Sequence, residues 1–165
     1  MKSALYDTTK TSNEMIQILR FSIENEEYGM ELLKVEEVIR LGNITRLPRA
    51  PHFVKGVINL RGDVIPIIDL RDKFGLETLK YTDSTRAINM EISGQLVGIV
   101  VDSVNQVVQI PKDSIQPPPS VVSGLASEYI QGVSNFAEKL IIILRMDEIL
   151  SQDEIIQLEK TTEKK

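Results

Sequence analysis

Phe53-Val54-Lys55-Gly56-Val57-Ile58-Asn59-Leu60-Arg61-Gly62-Asp63-Val64-Ile65-Pro66-Ile67-Ile68-Asp69 holds two short apolar runs, 56–60 and 64–69, separated by Arg61-Gly62-Asp63. Runs of this length, rich in β-branched residues and broken at a glycine, read as a β-hairpin in which Gly62 supplies the unusual backbone angle. The pattern returns further on: Tyr129, Ile130, Gly132, Val133 and Asn135 fall on Phe53, Val54, Gly56, Val57 and Asn59, and Leu140, Ile141, Ile143 and Leu144 on Val64, Ile65, Ile67 and Ile68. Upstream the same chain also repeats. Leu19, Phe21 and Ile23 match Ile88, Met90 and Ile92; Gly29 matches Gly98; Leu32, Val35, Val38 and Ile39 match Val101, Val104, Val107 and Val108. The two registers differ by an insertion around Pro117, Pro118 and Pro119, where a loop accepts added residues cheaply. A duplicated apolar skeleton carrying unlike polar residues implies two similar subdomains packed together.

The rest of the chain reads mostly as strand. Alternation over 16–23 leads through Glu24-Asn25-Glu26 into a second run, and Asn25 has Gly94 as its counterpart, both suited to a tight hairpin. Leu32, Val35, Val38 and Ile39 also fit one face of a helix, but their β-branched copy favours a turn leading into a strand. Pro66 cannot donate to a ladder and predicts an edge or a bulge. Residues 70–74 predict a short helix stopped by Gly75, and the second copy predicts strands over 87–92, 95–101, 106–110, 130–134 and 139–144. Ser151 and Glu154 form a capping box ahead of Ile155, Ile156 and Leu158, which predicts a terminal helix. The expectation is an all-β chain of about ten strands, five per copy, arranged as small barrels.

Composition excludes several classes of function. With 165 residues, 42% of them hydrophobic, the chain is able to bury a core. A net charge of −5 argues against nucleic acid or an anionic membrane as the main partner, and the lack of Trp leaves few stacking platforms. There is no cysteine, residues 1–13 lack the apolar run of a secretory signal, and no stretch of eighteen apolar residues occurs, so a soluble cytoplasmic protein is expected.

Catalysis has little material. His52 is the single histidine, so neither a Cys/His pair nor a His/Cys zinc site can be assembled, and its place between Pro51 and Phe53 predicts a surface loop. Gly56 and Gly62 fail as a phosphate loop, because five residues separate them and Asp63 stands where the lysine belongs. Asp63, Asp69, Asp72 and Asp102 are candidate paired carboxylates, but turn and strand-end roles fit them better. Arg61-Gly62-Asp63 also spells an adhesion tripeptide, without the secretory signal that such a role needs. No enzyme activity, metal or cofactor is expected.

Residues 53–62, followed by Pro66-Ile67-Ile68-Asp69-Leu70-Arg71, resemble the signature of the CheW family of chemotaxis coupling proteins. Glu27-Tyr28-Gly29-Met30, Lys34-Val35-Glu36-Glu37-Val38, Val97-Gly98-Ile99-Val100-Val101-Asp102-Ser103-Val104 and Tyr129-Ile130-Gln131-Gly132 extend the resemblance over about residues 16–150. It implies two five-stranded SH3-like barrels with a hydrophobic core between them. It also implies an adaptor, recruited to membrane-associated receptor arrays, that binds the cytoplasmic hairpin of chemoreceptors and the regulatory domain of the histidine kinase CheA. Carried over by motif, receptor contact falls on Val35, Glu37, Arg61, Arg86 and Ala87, with Gly56, Asn59 and Gly62 shaping the motif's turn; Arg86 replaces an aliphatic residue of the family pattern. The kinase-facing residues are not indicated. The organisation expected is a tail over 1–14, a domain over 15–150 with subdomains near 15–80 and 81–150 that are free to exchange strands, and a helix with a tail over 151–165. Two alternatives stay open: the same adaptor domain in another chemosensory pathway, and a small ligand-binding β-barrel.

Overall fold

The computed structural model describes residues 14–118 and 128–163; the expected tail before Glu14 and the last proline of the 117–119 run lie outside them. Ten strands are present among the described residues: β1 (Met15–Ile23), β2 (Glu26–Glu31), β3 (Val35–Arg40), β4 (Val54–Leu60), β5 (Asp63–Asp69), β6 (Arg86–Ile92), β7 (Gln95–Val101), β8 (Ser103–Pro111), β9 (Ile130–Phe136) and β10 (Lys139–Leu144). Two α-helices join them, α1 (Leu70–Lys73) and α2 (Gln152–Glu163). The ambiguous stretch after Glu31 is a 3-10 turn over Leu32–Lys34 that runs directly into β3.

Four hairpins share one turn chemistry. Glu24-Asn25, Arg61-Gly62, Ser93-Gly94 and Ala137-Glu138 each place two residues at positive φ, between 52° and 91°, and Ile23↔Glu26, Leu60↔Asp63, Ile92↔Gln95 and Phe136↔Lys139 close the ladders. Two-residue loops with both φ positive are type I′, whose twist matches that of the strands they join. The last loop carries neither Gly nor Asn, so strand pairing on both sides holds it there rather than local preference.

The strands form two five-stranded sheets, in the orders β8-β1-β2-β10-β9 and β3-β6-β7-β5-β4. Adding or subtracting five converts one order into the other, which is the internal repeat expressed as topology. The sheets nevertheless divide the chain differently from the copies: each takes its central hairpin from one copy and its remaining three strands from the other. The β1–β2 hairpin pairs with β8 and β10, and the β6–β7 hairpin with β3 and β5.

Continuous apolar runs occur because both faces of the central strands are buried. Along β5, Ile67 lies in a small cluster with Ile58, Ile65 and Val100, while Ile68 lies in the large core with Phe21, Met90 and Ile99. Ile18 against Leu19 and Ile143 against Leu144 repeat the alternation in the other sheet, where Ile18, Val108, Ile110, Ile141 and Ile143 make a second small cluster. Side chains alternate faces along a strand, so each sheet fills its own concave interior with one set and contributes the other set to the shared core.

Each ladder order is open, yet each sheet curls until its ends touch. Thr45, past the end of β3, exchanges two hydrogen bonds with Val57 of β4 (2.9 and 2.8 Å), and Gln116, past β8, exchanges two with Val133 of β9 (both 2.8 Å). Gly56 and Gly132 stand where these crossings come closest, since a Cβ there would lie 2.5 Å from the carbonyl oxygens of Thr45 and Gln116 respectively. Pro66 departs from the expectation of an edge strand: β5 is interior, but its pairing with β7 begins at Ile67, so the missing N–H removes no ladder bond on that side. The capping box forms as read, with Glu154 N–H donating to Ser151 Oγ (3.1 Å) and Ser151 N–H to Glu154 Oε1 (2.9 Å), and the helix it starts buries Leu158 against the shared core.

Candidate interaction site at the seam of the second sheet

β3 and β4 are the two ends of the second sheet, and in a flat sheet four strand spacings would keep them about 19 Å apart. Glu37 of β3 and Arg61, at the tip of the β4–β5 hairpin, nevertheless make a two-pronged ion pair: Arg61 Nη2 donates to Glu37 Oε1 at 2.6 Å and Nη1 to Oε2 at 3.3 Å. The pair therefore spans the seam left by curling. Three local features place Arg61 there. The type I′ turn holds it at φ 52°, Gly62 at φ 91° completes the reversal, and Asn59 Oδ1 accepts from Gly62 N–H at 3.0 Å. Hydrogen bonding to Arg61 holds the Glu37 carboxyl below its usual range, and the same bond raises the guanidinium. Arg61 leaves 68% of its side chain in solvent, so its donors stay accessible to a partner.

Val35 lies on the same strand but on the other face. It pairs with Met90 and packs on the shared core, because a bulge between Val35 and Glu37 resets the alternation. Just before it, Leu33 is 92% exposed in the 3-10 turn. The reading of the sequence did not single out Leu33, although it falls off the Leu32, Val35, Val38 stripe, which was the available signal. Arg86 opens β6 opposite Arg40 and is tied to its own turn, with Nη1 donating to the carbonyls of Asp83 (2.7 Å) and Thr85 (2.9 Å). Ala87 is fully buried between Ile39 and Val100. The structure thus brings Glu37 and Arg61 together, turns Val35 to the opposite face of β3, and places Arg86 at the far end of the β3–β6 pair with Ala87 inside the sheet, where its side chain shapes the surface only from beneath.

The candidate carboxylates have other work. Asp102, between β7 and β8, accepts from Arg71 Nε and Nη2 (both 2.8 Å) and from the backbone N–H of Glu24 (2.9 Å), which ties α1 to the β1–β2 hairpin of the other sheet. Bonding to Arg71 lowers the Asp102 carboxyl below its ordinary value. Asp69 caps α1 through Arg71 N–H and accepts from the Tyr81 hydroxyl (both 3.0 Å), while burial pushes its carboxyl up. His52 is exposed, in a loop. Among the described residues no group of three or more His, Cys, Asp or Glu is arranged to hold a metal, and no helix is long and apolar enough to cross a membrane.

The model of the CheW-like domain matches residues 17–154. The chemotaxis protein CheW of Klebsiella aerogenes is 37% identical over 155 residues, covering 93% of both chains, and that of Helicobacter pylori is 34% identical over 86% of both. Protein FrzA of Myxococcus xanthus is 33% identical over 113 residues, 68% of this chain and 70% of its own. Among solved structures, the scaffolding protein TtCheW from Thermoanaerobacter tengcongensis superimposes with a TM-score of 0.77 at 35% identity, covering 86% of this chain and 96% of that one. A family match over most of the chain, relatives matched along nearly their full length and a shared fold agree: the chain belongs to the CheW family of chemotaxis proteins.

Proposed function

We propose that this protein is a non-catalytic adaptor that holds chemoreceptor cytoplasmic hairpins and the regulatory domain of the kinase CheA in one assembly. The observation that carries this reading is the Arg61–Glu37 pair. It is an exposed, directional, charged group at a turn; Leu33, exposed in the turn that leads into the strand carrying Glu37, adds apolar surface on the same segment, and Val35 anchors that strand on its core side, and charged and apolar groups together suit the side of a helical hairpin. Arg86 offers a further cation, and Ala87 supports the surface from within. Kinase contact is assigned to the other sheet, where Met15, Val107 and Leu140 are between 41% and 49% exposed. Separate faces for the two partners allow a ternary complex at membrane-associated receptor arrays. Signal transfer then requires only that the adaptor bind one receptor state better than another, for typical couplings by about 1–3 kcal/mol.

The test is co-sedimentation of this protein and a CheA-type kinase with receptor-bearing membranes, reading kinase autophosphorylation alongside. Recruitment and activation are expected only with all three components. Arg61→Glu is expected to weaken receptor binding while kinase binding and the melting temperature stay nearly at wild-type values. Loss of both partners together with a lowered melting temperature would make Arg61 structural and refute the assignment.

A further inference from the structure

Asn89, in the middle of β6, is completely buried, and neither its Nδ2 nor its Oδ1 has a hydrogen-bond partner among the described residues. Ala87 and Ile67 lie nearby, and the side chain is accommodated because Gly98, directly opposite on β7, has no Cβ; one added there would sit 3.0 Å from Asn89 Oδ1. A buried amide without partners has given up its hydration for nothing in return, and an apolar side chain of similar size would be tolerated more cheaply. An orphan of this kind calls for a partner in some other arrangement of the protein.

The register supplies one. On its other side Asn89 is paired directly with Glu37. Residues directly opposite in an antiparallel ladder share a face, with Cβ atoms about 4.5–5.5 Å apart. Glu37 now turns its carboxylate outward to Arg61. The first copy of the repeat shows how the equivalent position is satisfied: Arg20, the counterpart of Asn89, also stands opposite a strand glycine, Gly29, and donates to a carboxylate, Glu27, at 2.8 and 3.0 Å. In the second copy the carboxylate directly opposite in the ladder is that of Glu37.

We infer that Asn89 is the internal alternative partner of Glu37, its Nδ2 donating to the carboxylate when Arg61 is drawn away. Glu37 then has two positions, outward on Arg61 and inward on the Asn89 amide. Engaging Arg61 from outside moves the acid from one to the other. The outward position dominates at rest because a two-pronged guanidinium bond is stronger than a neutral amide bond and leaves the carboxylate partly hydrated. Asn89 is thus a positioning residue, acting through Glu37 and Arg61 without meeting a partner itself.

The inference concerns the isolated chain and is tested without any partner, so failure of the adaptor reading would leave its test unaffected. The Glu37 side-chain carboxyl is titrated by carbon NMR in the full chain carrying Arg61→Ala and in the same chain with Asn89→Val added. The other charges around Glu37 are Glu36 and Arg40 on β3, Arg86 and Glu91 on β6 and Asp63 in the hairpin; they are common to both chains and cancel. With Asn89 present the carboxylate keeps a donor, and its midpoint is expected to lie lower than in the double variant by about half a pH unit or more, since bonding to the charged form lowers a pKa. Equal midpoints would overturn the inference. A second readout leaves position 89 untouched: the Asn89 side-chain amide resonances are expected to move downfield in the Arg61→Ala chain relative to wild type, and unchanged resonances would refute the hand-over even if Asn89→Val failed to fold.

Discussion

Replacing Gly56 by alanine attacks the closure of the second sheet at its tightest point. Two separable costs can be read from the geometry. Gly56 sits at φ 153°, a region reserved largely for glycine, and holding alanine there costs about 1–3 kcal/mol. The new Cβ would also lie 2.5 Å from the Thr45 carbonyl oxygen and 2.5 Å from Ile44 Cγ2, so the crossing segment must withdraw. Withdrawal breaks the Thr45 N–H···Val57 and Val57 N–H···Thr45 bonds, each with a net worth of about 0.5–1.5 kcal/mol. The sum is about 2–6 kcal/mol, or roughly 5–20 °C in melting temperature for a domain of this size. Two controls separate the parts. Gly132→Ala meets the Gln116 carbonyl at the same 2.5 Å without a positive φ, and should lose only the bond pair. Gly62→Ala keeps a positive φ of 91° with nothing within 4 Å, and should cost only the left-handed strain of about 1–2 kcal/mol. Thermal unfolding by circular dichroism, with amide exchange read at Thr45 and Val57, is the assay. If Gly56→Ala melts no lower than Gly62→Ala, the close approach does not matter and the account of the seam is wrong.

Four further outcomes are expected. Asp102→Asn removes the charge and one of the two oxygens that accept from Arg71, whose side chain is 8% exposed; with Asp102 itself a third exposed, the loss should be about 1–3 kcal/mol in denaturant unfolding. Because the folded Asp102 carboxyl lies below its ordinary 3.8, its contribution is complete above that pH and is lost as pH falls through the folded value; wild type should show this acid slope and Asp102→Asn should lack it in chemical unfolding at stepped pH. Ser151→Ala removes one half of the capping box and should cost about 1 kcal/mol, detectable as a lower melting temperature and earlier amide exchange in α2. Gly98→Ala would press on Ile67 Cδ1 at 2.8 Å and Asn89 Oδ1 at 3.0 Å, and an unchanged stability would mean that the barrel interior adjusts more freely than its packing implies, against an expected loss of about 1–3 kcal/mol.

Local chemistry carried much of this protein into view. Period-two alternation, Asn25, Gly62 and Gly94 at turns, Gly75 after α1 and the Ser151–Glu154 box each act over a few residues, so their reading needs no knowledge of the rest of the chain. The duplicated skeleton likewise exposed the shared topology, because burial on both faces forces both copies to keep the same apolar positions. Ala137-Glu138 carry no turn residue of their own and are marked as a turn only by the repeat, as the counterparts of Arg61-Gly62, since the pairing of β9 with β10 sets their positive φ against local preference.

The sequence by itself determined that there are two copies of one strand pattern, where its hairpins turn, and that Arg61 stands at a turn tip. Only the tertiary structure decided which copy supplies which strand to each sheet, because β-branched edges from either copy pair equally well and the choice rests on long-range packing around the shared core. It also decided that Glu37 meets Arg61 across the seam, that Ala87 is buried rather than presented, and that Asn89 lies opposite Glu37 without a partner. These are relations between residues far apart in the chain. Sheet curvature and register create them, and no local pattern encodes either.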